Sequence, residues 1–157
     1  MIPTTQLMYN HEYAKRLYRG DAMFEDVWRG IVGIGGDFEK IYEEYIGYIL
    51  EAIAKYSGYG WNESEGTEIP IYLIGQGESF AHPLSLAVHE DLETMLRDFV
   101  YQLTHRNMYF GFTDDQLKDQ CITCVVDHVL RDTSKSKVDP MELDLDSITI
   151  REYLKTR

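Results

Sequence analysis

Apolar residues recur at three- and four-residue intervals along most of this chain, and strand-like runs are confined to two short segments. The interval pattern predicts a first helix over Thr5–Arg19, where Leu7, His11, Ala14, Leu17 and Tyr18 fall near one face and Gly20 suits the exit. Asp21 reads as the cap of a second helix carrying Met23, Phe24, Val27, Trp28 and Ile31, which Gly33-Ile34-Gly35-Gly36 interrupts as a tight helix-helix turn. Asp37 then caps a longer helix, Phe38–Tyr56, with Phe38, Ile41, Tyr42, Ile49 and Ile53 in its buried stripe.

Residues 57–68 are polar and glycine-rich and read as a loop. The run Ile69–Ile74 is the best strand, and its Pro70 points to a sheet edge or a strand start. A second long helix follows over Ser85–Arg106, with Val88, Leu92, Met95, Leu96, Phe99 and Leu103 inward and Pro83 at or just before its first turn. Thr113 and Gln116 form a capping-box pattern for a helix that continues to about Arg131. A polar linker near 132–140 leads to an alternating stretch, Met141–Asp146, expected to pair with Ile69–Ile74, and to a last short helix capped by Ser147. The sum is a single domain over 1–157, mainly α, of about five helices with at most a small two-stranded β element.

Composition narrows the class. The chain has 157 residues and a net charge of -12. Residues 37–132 hold 18 acids against six bases, while the flanking segments are balanced. Such a surface repels nucleic-acid phosphates and anionic lipid and attracts basic partners. No run approaches the roughly 18 apolar residues of a membrane helix, and the N-terminus lacks a signal-peptide layout. The expectation is a cytoplasmic protein with reduced cysteines, no direct nucleic-acid binding and no membrane partner.

Three constellations bear on chemistry. Cys121, Cys124 and His128 form a C-x2-C-x3-H pattern and share one face of their helix. Zinc takes thiolate and imidazole ligands and wants four, so His82, His89 or His105 must complete such a site; two buried cysteines and a core histidine satisfy the same spacing. The pattern also occurs in the carboxymuconolactone-decarboxylase group of helical thiol reductases, but that group's glutamate twelve residues before the first cysteine is Tyr109 here, and membership is not inferred. His89 and Glu93 fall at i, i+4 without the second histidine of a zinc-protease helix, and Gly75-Gln76-Gly77 lacks the lysine of a phosphate loop. Nothing in the spacing of these groups specifies an enzyme.

The third constellation is acidic and aromatic. Glu43, Glu44, Tyr48, Glu51, Tyr59 and Trp61 lie outside the predicted stripe, where carboxylates steer a basic partner and aromatics anchor it. The expected function is that of a small acidic binding protein for a basic protein surface or a cationic nucleic-acid-binding site, in the manner of an inhibitor, an immunity protein or a nucleic-acid mimic, with no cofactor. The alternative is a metal- or thiol-dependent protein, with zinc at Cys121, Cys124 and His128.

Overall fold

Thr4–Met8 is extended, not helical. A computed structural model describes residues 2–61, 68–109, 114–133 and 143–156. In it Thr4–Met8 is strand β1, paired in parallel with β2 (Glu68–Ile74), so that Thr4 lies opposite Glu68 and Leu7 opposite Ile71. The first helix, α1, is only His11–Leu17, capped by Asn10, whose side chain accepts the Tyr13 N–H at 3.0 Å. The interval pattern over Thr5–Arg19 therefore merged a strand with a short helix. Leu7 is buried against the sheet's own helices, and local spacing cannot register a partner strand so far along the chain.

The two helices expected on either side of Gly33–Gly36 are one continuous helix, α2 (Phe24–Ser57). Its N-cap is Met23, without a side-chain hydrogen bond, so neither Asp21 nor Asp37 caps a helix here. Gly35 explains why a glycine sits mid-helix. A Cβ there would lie 2.7 Å from Leu73 Cδ1 and 2.9 Å from Tyr9 Cε1, so α2 crosses the sheet at this point with its backbone against β2. Gly58, at φ +80°, ends the helix in a left-handed cap and donates its N–H to the Ala54 carbonyl.

The segment expected to open the second long helix is also a strand. β3 (Phe80–Ala81) and β4 (Leu84–Ala87) form a tight hairpin, and α3 begins only at Leu92 and runs to Asn107. All four residues of β4 are buried, so it shows none of the alternation that would betray a strand. β4 inserts beside β2 in parallel, giving a four-stranded mixed sheet in the order β1-β2-β4-β3. Among the described residues five helices thus accompany a four-stranded mixed sheet, and the expectation of at most a small two-stranded β element is corrected. Pro70 is tolerated because β4 pairs with β2 only over Tyr72–Ile74, leaving β1 as the neighbour at Pro70.

The sheet has a helix on each side. Tyr13 of α1 stacks at 4.8 Å on Tyr72 and hydrogen-bonds Ser85 at 2.7 Å, marking the α1 face. Ile69, Ile71 and Leu73 alternate with these positions and meet α2 and α3 on the other face. There Phe38, Tyr42, Ile49, Leu96 and Phe99 are buried, with Ile41 and Leu92 half-buried at the margin. Helix α4 (Asp115–Thr133) packs across α2 and α3, and Arg97 pairs with the buried carboxylate of Asp127 to tie α3 to α4. Asp114 caps α4 by accepting the Gln116 N–H at 2.9 Å; Thr113 lies outside the described residues. Residues 143–147 form turns, not the expected strand, and α5 (Ile150–Lys155) is capped by Thr149 rather than Ser147. The expected linker core, 134–140, lies outside the described residues. No helix among the described residues is long and apolar enough to cross a membrane.

Candidate functional site

Parallel strands deliver their C-terminal ends to one edge of the sheet, and in open α/β sheets ligand crevices form there. β2 ends in Gly75-Gln76-Gly77, and β4 ends in Val88-His89-Glu90 ahead of the Asp91 cap of α3. Between them lies a crevice of about 550 Å³, walled by Gln76, His89, Glu90, Met95 and Asp98. Two smaller hollows, about 320 and 300 Å³, open from the same loop toward α1 and α2, and Gln76 borders all three.

The crevice walls are held by hydrogen bonds. Ser79 donates to the Asp98 carboxylate and accepts the Ala87 N–H at 2.8 Å, joining the β2–β3 loop, β4 and α3. Asp98 also accepts from the Gln102 amide at 3.3 Å. His89 Nδ1 accepts the Asp91 N–H at 3.0 Å, which leaves the ring proton on Nε2 as a fixed donor. Asp91 in turn caps α3, and its bonds to Thr94 and to the Glu93 N–H hold its carboxyl below the usual range. Among the described residues the lining offers two carboxylates and no lysine or arginine. It suits a cationic or hydrogen-bonding small ligand. Among the described residues Ser79 hydrogen-bonds the Asp98 carboxylate and no imidazole.

The acidic-aromatic group divides. Glu43, Glu44, Tyr48 and Glu51 are exposed on the outer side of α2. Tyr59 is half-buried, with the Arg151 guanidinium 5.3 Å from its ring centre and its carbonyl accepting from Asn107 at 3.0 Å. Trp61 is core: it is 1% exposed, and its Nε1–H donates to the Leu50 carbonyl at 2.8 Å. It folds back over the end of α2, and the expectation of a surface anchor at Trp61 is corrected. Glu63 and Glu65 lie outside the described residues.

The cysteine-histidine helix is interior. Cys121, Cys124 and His128 are all buried. Burial, with Asp127 nearby, pushes the Cys124 thiol up to about 11, the reverse of what a reactive thiolate needs. Both nitrogens of His128 are engaged, Nδ1 with the Cys124 carbonyl at 2.8 Å and Nε2 with the Leu145 N–H at 3.3 Å. Among the described residues, the groups whose ligand atoms lie within 4.8 Å of one another are His128, Asp144 and Asp146, not the two cysteines with His128. That trio is occupied too: Asp144 accepts from Ser147 and from the Asp146 N–H, and Asp146 is paired with Arg131. This is a turn held by hydrogen bonds against a satisfied core histidine. His82 and His105, considered as a fourth zinc ligand, meet each other instead.

From the sequence, the run holding Gln76 and Ser79 reads only as a glycine pair without a phosphate loop's lysine, and Asp98 carries no signal. The glycine pair around Gln76 was a signal, but it gains meaning only once β2 is known to be an interior parallel strand. Comparison with protein-family models, curated proteins and solved structures finds no match.

Proposed function

We propose that this protein is a binding protein that engages a basic protein surface, or the cationic nucleic-acid-binding site of another protein, through the outer side of α2. The supporting observation is that Glu43, Glu44 and Glu51 stand exposed there and enter no ion pair among the described residues. Unpaired carboxylates on a rigid helix add to a field that the chain's net charge of -12 already sets, and such a field accelerates encounter with a cationic partner. With Trp61 in the core, the face depends on charge and on Tyr48 rather than on a large aromatic anchor. The test is capture of partners at low and high salt, followed by kinetics with the Glu44→Lys/Glu51→Lys variant. Association should slow by about tenfold or more at low salt and lose much of its salt dependence. Unchanged association with a defined partner would discard the reading.

A second reading rests on the crevice beyond β2 and β4. Its two carboxylates, without lysine or arginine, favour a small amine over an anion. Thermal-shift titration with a diamine and with phosphate separates the two: stabilisation by the amine, abolished in Asp98→Asn, supports it, and no shift with either removes it.

A further inference from the structure

The turn between β3 and β4 and the last turn of α3 bring two imidazoles and a phenol together, away from the acidic face and the crevice. The His82 and His105 ring centres are 6.0 Å apart, and Tyr109 lies 4.6 Å from His82 and 6.3 Å from His105. The arrangement is braced, because Arg106 donates Nη1 to the Ala81 carbonyl at 3.3 Å and so ties the hairpin to α3.

One atom in this cluster is unexplained by the fold. His105 Nδ1 is enclosed and, among the described residues, is the buried side-chain nitrogen or oxygen without a hydrogen-bond partner. Enclosed polar atoms nearly always have a partner, and an exception points to a role outside the folded chain's own bonding.

We propose that His82 and His105, with Tyr109 beside them, form a binding site for a borderline divalent metal ion, zinc or copper. A metal about 2 Å from one nitrogen of each ring places two imidazole centres roughly 5–6 Å apart, which the observed separation meets with little movement. Imidazole and phenol donors suit zinc and copper, whereas magnesium and calcium want carboxylates, and among the described residues no carboxylate groups with the two histidines. Lys118, whose ammonium lies 5.7 Å from the Tyr109 ring centre, opposes any purely electrostatic cation site and narrows the choice to metals that bind nitrogen strongly. The remaining positions are left to water or an external ligand.

The test uses the full chain, stripped of metal and titrated by calorimetry with zinc, copper, magnesium and calcium. One equivalent of zinc or copper should bind, magnesium and calcium should not, and His82→Gln and His105→Gln should each weaken binding by at least about tenfold while melting as the parent does without metal. Should a variant fail to fold, imidazole nitrogen spectra of the parent decide, since zinc must shift the His82 and His105 resonances together and leave those of His89 and His128 in place. Absence of binding by the parent overturns the proposal. So does binding that survives both histidine variants, or binding lost in Cys121→Ser, which would move the metal to the cysteines.

Discussion

His128 reads the backbone of Leu145: its Nε2 accepts that residue's N–H, while its other nitrogen is bonded to its own helix. The chain's C-terminal turn is thereby tied to α4 by a buried imidazole, beside the Arg131–Asp146 ion pair at its surface. Replacing His128 by Leu strands the Leu145 N–H, at a cost of about 1–3 kcal/mol. Amide exchange should accelerate first at residues 143–149, and equal protection in both proteins would show the contact to be incidental.

Trp61 is expected to act on stability and not on recognition. Trp61→Ala removes a fully enclosed indole and should cost about 3–5 kcal/mol by chemical denaturation. Trp61→Phe should lose less, chiefly the bond to Leu50. If Trp61→Phe abolished partner binding at full stability, the placement of this ring in the core would be wrong.

The glycines of α2 should respond in opposite directions. Gly35→Ala forces a methyl against Leu73 and Tyr9 and should destabilise by about 1–3 kcal/mol. Gly33→Ala meets nothing within 4 Å and should stabilise the helix by about 0.5–1 kcal/mol. Paired thermal melts read the contrast, and two changes of the same sign would contradict the close crossing of α2 over the sheet.

Cys124 makes a pH-dependent contribution. Its folded-state pKa of about 11 lies above the ordinary thiol value, so the folded state holds the proton more tightly. The stability this supplies is complete below about pH 9 and is lost as pH rises through 11. Parent and Cys124→Ala should therefore converge by roughly 1–3 kcal/mol over that window. Alkylation of the native protein at pH 8 should be slow and become rapid on unfolding; fast native labelling would mean an accessible thiolate.

Periodicity identified α4, the greater part of α3 and the two halves of α2, because long amphipathic helices announce their buried side locally. It placed Phe38, Ile49, Leu96 and Phe99 inward, where they are. It missed β1 and β4 because a five-residue strand and a fully buried four-residue strand carry no period of their own. Gly33–Gly36 misled for a related reason: a glycine that breaks a helix and one that lets a helix touch a sheet are the same letter, and the nearness of Leu73 and Tyr9 to Gly35 distinguishes them. The positions of Glu43, Glu44 and Glu51 followed from the stripe they avoid. The fate of Trp61 depended on a bond to Leu50 across a turn. The crevice was invisible because Gln76, His89 and Asp98 become neighbours only through the parallel pairing of β2 with β4.

That pairing scheme also has a consequence for how the molecule is made. β1 leaves the ribosome before all of α2, yet its partner β2 comes after that helix, so β1 cannot join the sheet until the chain has doubled back across its longest element. Closing such a loop must precede any reward from β1–β2 contacts, which makes theirs the costly pairing of the sheet, whereas β2, β4 and β3 meet locally. Leu7→Ala should then slow refolding nearly in proportion to the stability it removes, whereas an unchanged refolding rate would mean that β1 docks last. Until β2 arrives, β1 lacks the strand it pairs with, and the seven acids against three bases of Phe24–Ser57 set neighbouring copies of that helix to repel one another.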